Sequence, residues 1–280
     1  MHRRRFAVLL GAGASYGAWD DPNSTPPLGD SLFDHLVDNF PNTWGSLDDE
    51  QHSFFVGQDS RPAFERGMLS LWEGEFSRAS SGPPPITVQV LLTDLGLYFA
   101  AFQLPVGVPN CYGALVDLFA RSRLVGQRLG VATLNYECLI ELALSARGVP
   151  FDLNPHPPRN GLFSLWRPHG ACNLLVDGVA KGNMRNITMV ANRYYVAGSG
   201  VRLVAVPPAQ VASIYEGQSN IPPAMSLYAP GKHSPTARYV GDDASATACA
   251  ERIGKERFTH LDHYFKPAIR KLAARLKILA

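Results

Sequence analysis

The chain has 280 residues, and its formal net charge at pH 7 is only +2. Hydrophobic residues make up 46% of the sequence and charged residues 18%, a balance that excludes an intrinsically disordered chain. So small a net charge gives no indication of a nucleic-acid-binding surface. No apolar run approaches the roughly 18 residues that a membrane-spanning helix needs, so we expect no membrane partner and a cytoplasmic location. We predict one globular domain over residues 1–280, whose function must be inferred from motifs.

The N-terminus begins with a basic stretch, residues 2–5, followed by five apolar residues, which together imitate a secretory signal. The apolar run ends at Gly11, short of the core of about 7–15 residues that such signals carry. We interpret residues 6–10 as a short buried strand, because a glycine-rich turn follows at once. A secretory signal remains the alternative.

The first half of the chain alternates between polar connections and apolar stripes of helical spacing. The predicted segments are, in order, a tight turn over 11–17, a loop over 18–30 rich in Asp and Pro, a helix starting near 31, an irregular polar stretch over 41–60, helices over 64–72, 88–102 and 112–119, and a flexible connection over 80–85. Most of them form a helical excursion over about residues 30–125.

The second half of the chain predicts strands and helices in alternation. The predicted segments are a strand over 129–134, a helix over 137–147 that stops at Gly148, strands over 149–153 and 162–165, antiparallel strands within 186–207, a loop-rich stretch over 208–250 and an amphipathic helix over 257–277. Strand, helix and strand in this order indicate a parallel α/β sheet. The antiparallel strands belong to a small β-rich insert over about 176–230.

The four cysteines lie far apart in the sequence. They are Cys111, Cys138, Cys172 and Cys249. A structural zinc site needs closely grouped ligands, and this spacing contains no Cys-x-x-Cys pair. We therefore expect no metal, and we interpret the cysteines as reduced, buried thiols.

A first motif, Gly-Ala-Gly-Ala-Ser over residues 11–15, follows the predicted first strand. Small residues let a backbone approach a pyrophosphate closely, and free backbone N–H groups then bind the anion. The motif is not the Gly-x-Gly-x-x-Gly dinucleotide fingerprint, because Tyr16 stands at the last position, and no Gly-Lys-Ser/Thr follows as in a P-loop. A simple strand-to-loop turn is the alternative.

Two further motifs follow predicted strands at the carboxyl edge of the sheet, where open α/β sheets bind ligands. Residues 133–137 read Thr-Leu-Asn-Tyr-Glu, and residues 167–171 read Arg-Pro-His-Gly-Ala. Asn135 either caps the following helix or takes part in catalysis. His169 is either a general base near neutral pH or a structural histidine.

The three motifs in this order resemble those of the sirtuin superfamily, in which Gly-Ala-Gly-x-Ser is followed by Thr-x-Asn-x-Asp and then His-Gly. The Asn-Tyr-Glu form, followed by an apolar helix with Glu141, resembles the prokaryotic SIR2-like branch, known mainly for NAD-hydrolysing effectors of anti-phage defence. The resemblance covers residues 6–38 and 128–175. It implies a Rossmann-like parallel sheet flanked by helices, and a single SIR2-like domain.

The resemblance also implies a reaction, cleavage of the bond between nicotinamide and ribose in NAD+, which is the substrate. It implies that Asn135 orients the ribose or the attacking water, and that His169 accepts a proton. The residues that it places on NAD+ are Gly11, Ala12, Gly13, Ser15 and Asn135. The loop over residues 16–28 is expected to close over the cofactor. Partners implied are further copies of the chain or another protein of a defence system.

Two other functions stay open. A sirtuin-type protein deacylase shares the three motifs, although the four-cysteine zinc module and the Gly-Ile-Pro-Asp-Phe-Arg segment of deacylases are absent from this sequence. A non-catalytic module that binds NAD or ADP-ribose is the other. The acid of the second motif is Glu137 where sirtuins have Asp.

The last residues of the chain, 276–280, are apolar after an amphipathic helix, as at the start of a buried strand. Because a core strand is seldom left incomplete, we expect a longer polypeptide with an adenosine-side strand beyond Ala280. The alternative is that residues 278–280 finish the last helix. Tyr239–Asp243 is a weak candidate for the adenosine-side turn, since no apolar strand precedes it.

Overall fold

The structure of the chain is a computed structural model. It describes residues 5–21, 24–56, 64–68, 70–71, 88–124, 128–152, 163–167, 169–180, 187–190, 193–197, 203–216, 222–225 and 238–240. The predicted connection over 80–85, the helix over 257–277, the continuation beyond Ala280 and the thiol of Cys249 lie outside the described residues.

A four-stranded parallel sheet forms the centre of the described structure. Its strands are β1 (Arg5–Leu10), β2 (Arg128–Thr133), β3 (Phe151–Asp152) and β4 (Phe163–Trp166), in the spatial order β1-β2-β4-β3. Every neighbouring pair is parallel. The predicted parallel α/β sheet is therefore confirmed, and each predicted strand lies within two residues of its expected bounds.

Helices occupy the connections from β1 to β2 and from β2 to β3. They are α1 (Ala12–Tyr16), α2 (Leu32–Asn39), α3 (Asp49–Ser53), α4 (Val88–Ala100), α5 (Cys111–Leu124) and α6 (Leu139–Ala146), with further helical residues at 64–68 and 70–71. Helix α6 stops before Gly148, which has a positive φ of 59° and suits a helix C-terminus. Among the described residues, no helix combines the length and apolarity that crossing a bilayer requires.

Two apolar clusters hold these elements together. One lies on the sheet, where Val131 and Leu165 contact the buried faces of α5 and α6. The other lies between helices, where Leu36 of α2 and Leu95 of α4 are fully buried around Trp44. Burial of apolar surface in such clusters is the main stabilising contribution to a fold. The helical excursion thus has its own core beside the sheet.

Two predicted irregular segments contain helices instead. The predicted tight turn over 11–17 is mostly helix α1. The predicted polar stretch over 41–60 contains a 3-10 turn, Trp44–Ser46, and helix α3. A capping box starts α3. The side chain of Asp48 accepts from the backbone N–H of Gln51, and the side chain of Gln51 accepts from the backbone N–H of Asp48.

The β-rich region lies beside the main sheet in two smaller sheets. Strand β5 (Leu174–Val176) pairs with β8 (Leu203–Ala205), and β6 (Ile187–Val190) pairs with β7 (Arg193–Ala197), both antiparallel as predicted. Strand β9 (Arg238–Val240) pairs parallel with β7, in a stretch predicted as loop. The same region contains helix α7 (Asp177–Ala180), a 3-10 turn (Pro208–Gln210) and helix α8 (Val211–Tyr215). The insert is therefore mixed and not purely β.

Candidate functional site

The carboxyl ends of β1, β2 and β4 bring the three sequence motifs to one edge of the sheet. Leu10, the last residue of β1, lies opposite Thr133, the last residue of β2, and Ala132 lies opposite Trp166 of β4. The backbone N–H of Leu134 then donates to the carbonyl oxygen of Leu10 at 2.9 Å. Because the strands are parallel, the segments that follow them leave the sheet on the same side.

A pocket of about 630 Å³ opens at this edge. It is lined by residues from all three motifs, namely Gly11, Ala12, Ser15, Leu134, Asn135, Tyr136, Glu137 and His169. Pro26 and Pro27 of the predicted closing loop also line it. Asn135 and His169 thus line one pocket together with Gly11 and Ser15, whereas Gly13 is not part of its lining.

Ser15, Asn135 and Glu137 form a buried hydrogen-bond network on the pocket wall. The Nδ2 group of Asn135 donates to Ser15 Oγ at 2.7 Å and to Glu137 Oε1 at 2.9 Å, and Ser15 Oγ donates to the same carboxylate oxygen. Ser15 lies 120 residues from Asn135 in the sequence. The network therefore joins the first motif to the second through side chains.

Tyr112 of α5 completes the network, and nothing in the sequence indicated this. Its hydroxyl lies 2.7 Å from Ser15 Oγ and donates more weakly to Glu137 Oε1 at 3.4 Å. Burial is the main cause that raises the pKa of Tyr112, with a further increase from the charge of Glu137. The sequence showed Tyr112 only as one apolar position of a helix, because its partners are distant in sequence.

The geometry around Asn135 argues against one of the two interpretations of this residue, that of a helix cap. Helix α6 begins at Leu139, whose backbone N–H donates to Glu137 Oε2 at 2.9 Å, so Asn135 is not the helix cap. The carboxylate of Glu137 accepts from the Asn135 amide nitrogen and thereby fixes which way the amide points. The amide oxygen of Asn135 is then buried and has no hydrogen-bond partner within the described part of the chain.

His169 lies on the loop after β4, beside the ring of Tyr136 at a centroid distance of 6.5 Å. Burial lowers the pKa of His169 below its ordinary value of 6.5, although a hydrogen bond to the backbone of Leu134 acts in the opposite direction. The imidazole is therefore neutral at neutral pH, which is the form that accepts a proton. Its position and its protonation state both suit a general base.

Gly170 holds the His169 loop against a neighbouring segment. Its φ is +79°, and a Cβ built at this position would lie 2.7 Å from the carbonyl carbon of Ala224 and closer still to its oxygen. Gly170 also forms an isolated antiparallel bridge with Met225. Only glycine fits both the backbone angle and the space, so the glycine of the His-Gly pair has a structural reason.

Glu65 is a second carboxylate on the pocket wall. Partial burial raises the pKa of Glu65. No basic side chain pairs with it among the residues that the structure describes. It lies in the helical excursion, where sequence reasoning indicated only an apolar stripe.

The cysteines differ from one another in their surroundings. Cys138 and Cys172 are buried, with their sulfur atoms 3.6 Å apart and not bonded covalently, as expected for reduced thiols. Cys111 is exposed, so its prediction as a buried thiol is wrong. It starts helix α5, where its thiol donates to the carbonyl oxygen of Gly17. Within the described ranges, no group of three or more His, Cys, Asp or Glu side chains is arranged to hold a metal ion.

A scan against protein-family models gave no matching family. A search of curated proteins gave no match either. The site must therefore be interpreted from its own geometry.

Proposed function

We propose that the chain is an NAD+ hydrolase that cleaves the bond between nicotinamide and ribose, with a Rossmann-like, SIR2-like domain. One observation carries this proposal. Three motifs, spread from residue 11 to residue 170, line a single pocket at the carboxyl edge of a parallel sheet. Motifs with unrelated structural roles have no reason to share a pocket. The SIR2-like resemblance further favours a NAD-depleting role in anti-phage defence, exerted as an oligomer or with a partner protein.

The first motif offers room for the pyrophosphate of NAD+. Gly11 lines the pocket, and a Cβ added there would meet no atom within 4 Å. Its φ of −122° is one that any residue adopts, so the chain itself does not require glycine at this position. Close approach of a ligand to the backbone accounts for glycine here. The pocket volume also lies within the range of about 300–1,000 Å³ that is usual for cofactor sites.

Asn135 is suited to hold the ribose or the attacking water. Its amide oxygen is buried and has no hydrogen-bond partner among the residues that the structure describes, an arrangement that costs about 1–3 kcal/mol. A hydroxyl group or a water that donates to this oxygen recovers that free energy. Because Glu137 and Ser15 hold the amide nitrogen, the oxygen needs little reorganisation before it accepts.

His169 is suited to take the proton that hydrolysis releases. Water attacks the anomeric carbon of the ribose, the electrons of the carbon–nitrogen bond leave with nicotinamide, and the proton of the water passes to the neutral imidazole. The products are nicotinamide, ADP-ribose and one proton. Apolar groups such as Phe64, Phe99 and Pro26 line the same pocket, and they limit access of bulk water to the reacting carbon.

The experiment incubates the purified chain with NAD+, with and without an acetylated peptide, and measures free nicotinamide. We expect nicotinamide and ADP-ribose without peptide. The variants N135A and H169A are expected to lose most of this activity, by about 10²-fold or more, while both stay folded at the assay temperature. His35, an exposed histidine of α2, provides the matched control H35A.

Each alternative function gives a different result in this assay. Nicotinamide released only with the acetylated peptide identifies a deacylase. Binding of NAD+ or ADP-ribose without nicotinamide release, both alone and with candidate defence partners, identifies a binding module. Full activity of N135A and H169A contradicts the proposed site even if the chain cleaves NAD+.

A further inference from the structure

Arg167, at the end of β4, reaches under the loop that carries Asn135. Its Nη1 group donates to the backbone carbonyl oxygen of Asn135 at 2.9 Å and to that of Glu137 at 2.7 Å. The arginine is only 4% exposed. A single guanidinium nitrogen therefore holds two carbonyl groups of the loop whose side chains form the buried network of the pocket.

The carbonyl group between these two is held by the same segment of the chain. The backbone N–H of Cys172 donates to the carbonyl oxygen of Tyr136 at 2.8 Å. Three successive carbonyl groups of the loop thus bind the chain segment that runs from Arg167 to Cys172, and His169 lies within that segment. These bonds fix the loop of Asn135 relative to the loop of His169.

Arg167 is balanced by a buried acid, Glu141 of α6, which forms an ion pair with its Nη2 group. Burial raises the pKa of Glu141, and the charge of Arg167 opposes that increase. Burial of an ion pair costs several kcal/mol per ion, and well-packed apolar residues are often at least as stabilising. Stability alone therefore gives no reason for two charges here, whereas the hydrogen bonds to the loop do.

We propose that Arg167 is a positioning residue that sets the spacing between Asn135 and His169, with Glu141 balancing its charge. This inference rests on the proposed function, since it concerns the same pocket. Arg167 acts through the backbone carbonyl groups of Asn135 and Glu137 and does not touch the substrate. A misplacement of about 1 Å between reacting groups costs about 10²-fold in rate.

The test compares variants that separate positioning from stability. The double variant R167M/E141M removes both partners of the ion pair, so neither Arg167 nor Glu141 is left unpaired. Glu137 keeps its hydrogen bonds to Ser15, Asn135 and Leu139, and we expect the double variant to stay folded. We expect its kcat for nicotinamide release to fall by about 10²-fold while KM for NAD+ changes less than about threefold. Arg147, an arginine of the protein surface paired with Asp117, provides the matched control R147M, with wild-type kcat.

A second variant keeps the test decisive if the double variant does not fold. R167K retains a positive charge beside Glu141 but lacks the planar fork that reaches two carbonyl groups and the carboxylate together. We expect R167K to fold and to show a reduced kcat. Wild-type kcat in either folded variant overturns the proposal. Failure of both variants to fold assigns Arg167 to stability alone and overturns it as well.

Hydrogen exchange separates this inference from the proposed function, because it needs no NAD+ cleavage. In R167M/E141M, or in R167K if the double variant does not fold, we expect amide exchange over residues 134–139 to accelerate about tenfold or more, with the rest of the sheet unchanged. If the wild type releases no nicotinamide, the NAD+ hydrolase proposal fails. The rate of amide exchange over residues 134–139 then tests by itself whether Arg167 holds the loop of Asn135. Unchanged exchange over residues 134–139 overturns the inference.

Discussion

Replacement of Glu137 by glutamine tests the buried network of the pocket, because every hydrogen bond to this carboxylate is donated to it. Oε1 accepts from Ser15, from Asn135 and more weakly from Tyr112, and Oε2 accepts from the backbone N–H of Leu139. A glutamine side chain has one oxygen and one NH₂ group, and the nitrogen cannot accept a hydrogen bond. In either orientation of the glutamine amide, the variant loses at least one of these hydrogen bonds and places its NH₂ group next to another hydrogen-bond donor.

The expected destabilisation of E137Q is set by the glutamine orientation that loses the fewest hydrogen bonds. With the glutamine oxygen toward Ser15 and Asn135, only the bond from Leu139 is lost. Hydrogen bonds to charged groups contribute about 1.5–3 kcal/mol, and an unsatisfied buried donor costs about 1–3 kcal/mol. Glu137 is 2% exposed, so water does not replace the lost partner. We expect E137Q to lower the free energy of unfolding by about 2–3 kcal/mol, a fall in Tm of about 5 °C.

Differential scanning calorimetry and the nicotinamide assay together check this prediction. Glu216 is exposed, so E216Q is the matched control and should stay within about 0.5 kcal/mol of the wild type. In the favoured orientation E137Q keeps the contact to Asn135, so its kcat should fall less than that of N135A. An unchanged Tm in E137Q refutes the reasoning, because it shows that the carboxylate is not the shared acceptor of the network.

Three further predictions concern the motifs on either side of this network. G170A should destabilise the fold strongly, by more than about 3 kcal/mol in chemical denaturation, because its Cβ overlaps the Ala224 carbonyl group at a positive φ. G11A should keep the wild-type Tm, since its Cβ meets no protein atom, but raise KM for NAD+ about tenfold in the nicotinamide assay; an unchanged KM would remove Gly11 from the NAD+ site. Because burial lowers the pKa of His169, kcat should stay constant from neutral pH upward and decline only below pH 6.5, and H169A should lack this decline. As pH falls, His169 is protonated in the unfolded chain before it is protonated in the folded chain, so the folded state also loses stability.

Sequence patterns were sufficient to predict the parallel sheet and to predict that the three motifs lie at one edge of it. The apolar run of β1 and the strand-helix-strand order after residue 128 predicted parallel strands, and parallel strands place their following loops at one edge. Asn135 and His169 follow such strands, so their shared pocket was predictable from the order of elements alone. The helices α2, α4 and α5 were also predicted, because their apolar positions recur at helical spacing.

Contacts between distant segments were not predictable in this way. Tyr112 occupies an apolar position of α5, and only the packing of α5 beside β2 brings its hydroxyl to Ser15. Arg167 looked like the first residue of a His-Gly motif, and its role depends on carbonyl groups about 30 residues earlier in the chain. Helix α3 was missed because a capping box, and not an apolar stripe, starts it. Hydrophobic periodicity identifies the apolar face of a helix or strand, but it does not identify which side chains of different elements contact each other.

The most direct test of the central claim is the rate of nicotinamide release from NAD+ by the purified chain, compared with that of N135A at a temperature where both are folded. The account predicts release of nicotinamide and ADP-ribose without any acylated peptide, and a loss of about 10²-fold or more in the variant. Equal rates in the wild type and N135A would contradict it, because the pocket at the sheet edge would then not be where NAD+ is cleaved.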